Sequence, residues 1–157
     1  MAPGADREEL TLADAAQSLL DECRMVLPGI QAIFGFQLIA VFNERFSRDL
    51  TQPEQALHLA ALALLALSAA IVMTPAAYHR HRGAREVSGH FIKLSSRLLL
   101  ASMLPLAVGL SLDVYLIARL VLGAPGPACA AAAALFAVML FFWFAFPRLQ
   151  SRRRLIV

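Results

Sequence analysis

Four long apolar runs dominate the pattern of the chain, at about 25–46, 57–78, 98–122 and 127–147. Each is close to the ~20 residues that a helix rising 1.5 Å per residue needs to cross ~30 Å of hydrocarbon. The runs lack the alternation of a lipid-facing β-barrel. In lipid every backbone polar group must be paired within the segment, so each run is expected as a helix. The pattern predicts an all-α protein, an integral membrane four-helix bundle forming a single domain over 1–157. Breaks fall between the runs. Pro53 precedes the second, and Gly-Ala-Pro-Gly-Pro at 123–127 precedes the fourth. Pro28-Gly29 stands at the entry to the first. Pro105 falls inside the third, removes the bond to the Ala101 carbonyl and predicts a kink.

Two further segments are amphipathic. Over 10–24 and just beyond, Leu12, Ala16, Leu19, Leu20, Cys23 and Leu27 recur at helical spacing, with Asp14, Gln17, Ser18, Asp21 and Glu22 opposite. This acidic helix is expected to pack on the basic segment before the third span. There Val87, Phe91, Leu94 and Leu98 form one face and Arg85, His90, Lys93 and Arg97 the other. That basic segment reads either as a helix on anionic headgroups or as a cytoplasmic extension of span three.

Composition supports a lipid environment. Of 157 residues 59% are hydrophobic and 16% charged, with mean hydropathy +0.66, against about 45–50% and about 25% in soluble domains. Arginine and lysine then orient the spans. Eleven lie in the N-terminal segment, the connection after span two and the tail, and three (Arg45, Arg48, Arg119) lie on the other side. The positive-inside rule places both termini in the cytoplasm. The first 22 residues carry six acids, so no secretory leader is expected. Cys23 and Cys129 show no metal-type spacing and read as small hydrophobes. A pI near 9.4 is explained by the cytoplasmic lipid face and calls for no nucleic acid.

The stretch Thr74-Pro-Ala-Ala-Tyr-His-Arg-His-Arg-Gly83 closes span two. Tyr78, His79, Arg80 and Arg82 are expected as interface anchors, the arginine stems lying along the acyl region. His79, His81 and His90 have the donors for zinc. The neighbouring arginines repel a dication, however, and Glu86 is the one carboxylate near them, so no metal is expected. A pH-sensitive interface stays open. Haem is not expected, because no other span offers a mid-depth histidine to pair with His58 or His79. Phe141, Phe142, Trp143, Phe144 and Phe146 read as an aromatic belt, with Trp143 an interface anchor. Ala130–Ala134 offer a smooth face for a neighbouring helix.

Polar residues within spans carry the candidate chemistry, because lipid makes them costly. Asp113 is the one acid well inside an apolar run, about 24 Å beyond Arg97 by helical rise. His58, Gln37 and Arg45 are expected near its level. One reading is a proton or cation site. A carboxyl in low dielectric resists ionisation, His58 relays the proton, and Gln37 and Ser111 offer oxygens. The other is a structural pair of Asp113 with Arg45 or Arg119. Gln31 and Gln37, about 120° apart by the helical step, are candidates for interhelical hydrogen bonds.

"LPGIQAIFGFQLIAVFNERF" and "TPAAYHRH" resemble an uncharacterised bacterial family of short four-span membrane proteins. Its marks are Leu-Pro-Gly in span one and Tyr-His-Arg after span two. The resemblance covers about 17–122, on Leu27, Pro28, Gly29, Gln31, Asn43–Phe46, Tyr78, His79 and Arg80. It implies a bacterial plasma-membrane protein, in a family to which a sodium:proton antiporter role is sometimes attached. No catalytic residue comes with it.

Two function classes follow. The first is a cation/proton transporter or channel subunit, handling H⁺ or Na⁺ and acting as a homo-oligomer, since four spans enclose little space. Gly-interrupted paired spans and inverted halves are absent from the sequence. The second is a non-catalytic accessory or scaffold subunit with a membrane partner. No nucleotide loop, nucleophile or metal cluster points to an enzyme, and no cofactor is expected.

Overall fold

The computed structural model describes residues 12–82 and 89–153, which form helices and short connections without strands. The helices are α1 (Leu12–Val41), α2 (Glu44–Asp49), α3 (Gln52–Arg82), α4 (Gly89–Leu122), α5 (Pro125–Leu140) and α6 (Phe146–Arg153). A five-residue π turn, Phe141–Ala145, joins the last two. Four segments are long and apolar enough to cross a membrane: Asp14–Val41, Gln52–Tyr78, Gly89–Leu122 and Pro125–Leu149.

Both amphipathic segments fuse with spans. The acidic segment and span one are the single helix α1, which runs through Pro28. A proline inside a helix removes one backbone bond. Here Cys23 and Ile30 are buried on either side of it, in one cluster with Leu65, Val72, Leu99 and Leu106. The start of α1 is thus held by apolar contact with α3 and α4. Asp21 pairs with Arg24 of its own helix at 3.1 Å. From Gly89 on, the basic segment is continuous with α4, burying Phe91 and exposing His90, Lys93 and Arg97. Span one ends earlier than its apolar run. The amides of Phe42 and Asn43 donate to the carbonyls of Ile39 and Ala40, each at 3.1 Å. The Asn43 side chain then accepts from the Arg45 amide at 3.0 Å, capping α2.

The other boundaries have local causes. At the start of α3 the Glu54 carboxylate reaches back to Thr51, one half of a capping box. The Thr51 amide and hydroxyl donate to Glu54 Oε2 at 2.8 and 2.7 Å. Gly123, with φ +67°, turns the chain after α4, and Pro125 opens α5, where its missing N–H costs nothing. Pro75 and Pro105 both lie inside continuous helices.

The centre of the bundle is the antiparallel seam of α3 and α4. On α3 the buried positions are Glu54, His58, Ala61, Leu65, Ser68, Val72 and Pro75. They alternate in steps of four and three, the repeat of a left-handed helical bundle. Gly109 of α4 meets Ala61 so closely that an added Cβ would sit 3.2 Å from the Ala61 carbonyl oxygen. Further in, Ser68 Oγ donates to the Ser102 carbonyl at 2.9 Å. Tyr78 then stacks on Phe91, ring centroids 5.7 Å apart. α1 lies against α3 and α4, and α5 lies along α4. Trp143 is partly buried against the core cluster, whereas Phe141, Phe142 and Phe146 face outward.

Gly109→Leu should therefore force the seam apart, at a cost of about 1–3 kcal/mol. A lowered unfolding midpoint in detergent, with Gly109→Ala falling between it and the native chain, is the expected result.

Candidate functional site

Three of the sequence candidates meet near the end of the bundle where α1 and α4 finish. By helical rise, Gln37 lies about 6 Å before the end of α1 and His58 about 9 Å into α3. Asp113 lies about 14 Å before the end of α4. Gln37 Nε2 donates to Asp113 Oδ2. His58 Nε2 donates to the Gln37 backbone carbonyl at 3.1 Å, which fixes the protonated ring nitrogen. Phe46 sets its ring edge-on to the imidazole, 5.1 Å between centroids. Gln37 and His58 are 6% and 8% exposed, and Asp113 is half-buried. Gln37 Oε1 is buried and, among the described residues, has no hydrogen-bond partner.

These side chains line a cavity of about 460 Å³. Ile33, Phe36 and Ala40 of α1 form one wall, and Leu135 and Met139 of α5 the other. Leu110, Val114 and Ile117 of α4 lie between them. The cavity is an apolar chamber with one carboxyl, one amide and one imidazole.

Arg45 does not join the cluster. It sits exposed on α2 and lines a separate hollow with Asn43 and Asp49. Arg119 is also turned elsewhere, its Nε 3.4 Å from Glu54 Oε1. Neither arginine forms the structural pair with Asp113. Glu54 is the residue that sequence reasoning missed. Its signal was the Thr51-Gln-Pro-Glu54 pattern, since a threonine with a glutamate three residues on is a capping box. That box holds the carboxylate where Arg119 can reach it. Ser111 offers no oxygen to the cluster: its hydroxyl donates to the Ala107 carbonyl at 2.7 Å. It lines a different hollow of about 430 Å³, with Tyr115, Cys129 and Ala132.

Of the interface anchors, Tyr78 is placed in the stack on Phe91 and Trp143 on the core. The side chains of His79, Arg80, His81 and Arg82 lie outside the described residues, as do Arg85 and Glu86. His90 is exposed at the start of α4.

Fold and site together define a small, multi-pass helical membrane protein with a polar cluster between its spans. The chain belongs to a family of unknown function (DUF6328), whose match covers residues 7–147. This match reaches past the expected 17–122 at both ends and takes in the fourth apolar run, 127–147. No curated protein and no solved structure matches the chain.

Gln37→Leu removes the side-chain bond to Asp113 while leaving the main-chain acceptor of His58. It should cost about 0.6–2 kcal/mol, the range for an interhelical hydrogen bond in lipid. Reversible denaturant titration followed by circular dichroism measures it.

Proposed function

We propose that the protein is a cation/proton transporter or channel subunit of the bacterial plasma membrane, acting as an oligomer, with Asp113 as its ion-carrying group. The observation that carries this reading is the pairing of Asp113 with a neutral amide while Arg119 is engaged by Glu54. A carboxyl in an apolar cavity without a cationic neighbour binds a proton or cation more readily than one neutralised by arginine. His58, which donates to the Gln37 backbone carbonyl and lines the same cavity as Asp113, is the group through which a proton would enter or leave. The arginine and lysine distribution supports cytoplasmic termini. The resemblance in Leu27–Gly29 and Tyr78–Arg80 supports an antiporter-like role. The chain is read as a non-enzyme with no cofactor.

Reconstituted into liposomes with a pH-sensitive dye, the protein should carry a proton flux that depends on a Na⁺ or K⁺ gradient. Asp113→Asn should abolish it. Absence of flux in the native chain, or its survival in the variant, removes the reading.

One feature favours the accessory or scaffold alternative and equally an oligomer. Gln31 lies exposed on the outer face of α1, within a spanning segment. An amide facing lipid is costly unless a neighbouring helix meets it. Gln31→Leu should shift the protein toward single chains in mild detergent, read by light scattering. A stoichiometric partner of different sequence co-purifying with the native chain, and lost in the variant, would select the accessory role.

A further inference from the structure

We infer that the cavity between α1 and α5 binds an amphipathic organic ammonium ion, its head on Asp113 and Gln37 and its apolar body along Ile33, Leu135 and Met139. This rests on Asp113 being the ion-carrying group and adds what kind of ion it takes. The first argument is coordination. A dehydrated metal cation needs a shell of oxygens, about six or more for the hard divalent ions. The cavity's described lining offers the Asp113 carboxylate, the Gln37 amide and the His58 imidazole, with hydrocarbon around them. Ser111, the nearest candidate for a further oxygen, has its hydroxyl on the Ala107 carbonyl and faces another hollow.

The second argument is the unpaired acceptor. Gln37 Oε1 is buried without a partner. A buried polar atom in this condition costs about 1–3 kcal/mol until a donor reaches it. The bond to Asp113 occupies one arm of the amide and leaves the other over. An ammonium head carries several N–H donors, so it supplies one to the carboxylate and, once the amide shifts to open Oε1 to the cavity, another to that atom.

Size and access agree. About 460 Å³ falls in the range of sites for small organic molecules, about 300–1,000 Å³. At its rim Phe36 is 75% and Ile117 62% exposed, on segments that face lipid. The opening is thus sideways into the bilayer, where an amphipathic cation concentrates, its apolar part in the acyl region and its head near the phosphates.

The test uses 4-phenylbutylammonium and the full chain in phosphatidylcholine nanodiscs, by calorimetric titration against empty discs. Saturable binding is expected in the native protein. It should weaken at least tenfold in Asp113→Asn, for 4-phenylbutanol, which has the same apolar body without the charge, and in Leu135→Trp, which fills the hollow. Heat that does not saturate, or that is equal for the alcohol or for either variant, overturns the inference. A lipid chain or a second copy of the protein filling the cavity would give that result. The liposome flux assay separates the two readings. Sodium-driven, Asp113-dependent flux without amine binding sinks this inference and keeps the transporter. Amine binding without flux does the reverse.

Discussion

The close approach of α3 and α4 is the constraint on which the rest of the bundle depends. Between helices in lipid there is little hydrophobic drive, because the surrounding chains are as apolar as leucine. What holds helices together is contact, and contact requires small groups. Ala61 against Gly109 lets the two backbones come within van der Waals distance, and Ser68 adds a hydrogen bond to the Ser102 carbonyl. Once those two contacts fix the register, the outer residues have no freedom. His58 and Asp113 open into one cavity, and a turn further out Glu54 faces Arg119.

The polar cluster is therefore a product of register and not of local sequence. Gln37 completes it from a third helix and bonds in two ways, by its side chain to Asp113 and by its carbonyl to His58. Each bond joins a different pair of helices. The same residue that shapes the site thus ties α1 to the α3–α4 seam, and its burial is what leaves one of its own atoms unsatisfied.

Run length revealed the spans, because lipid thickness sets the length of an apolar helix and leaves that mark in any sequence. It did not reveal which way the helices turn. In water the apolar face marks the inside, but in lipid both faces are apolar. The inward signal passes to small and polar residues such as Glu54, His58, Ala61 and Ser68, spaced by four and three. Boundaries were legible where chemistry was local, at Gly-Ala-Pro-Gly-Pro, and hidden where it was not. Phe42 reads as a continuation of span one, yet α1 ends at Val41 because the Asn43 side chain caps the next helix. Pro28 stands at the entry to the first apolar run and lies within the continuous helix α1. Asp113, His58 and Gln37 were legible as costly polar groups in apolar runs. Arg45 was not excluded in advance, because only the turn at Asn43 carries it to a different hollow.

The π turn at Phe141–Ala145 has a consequence for the arginine-rich tail. The Phe146 amide reaches back five residues to the Phe141 carbonyl, so this turn holds one residue more than the helix on either side. An extra residue rotates everything beyond it by about 100° relative to an unbroken helix. Trp143 is turned inward on the core while Phe141, Phe142 and Phe146 look out, and Arg148 lies 6.0 Å from the Phe144 ring centre. The azimuth of the final helix is thus set by a single supernumerary peptide unit. Gaining or losing one residue there would re-aim α6, and Arg148 with it, about the bundle.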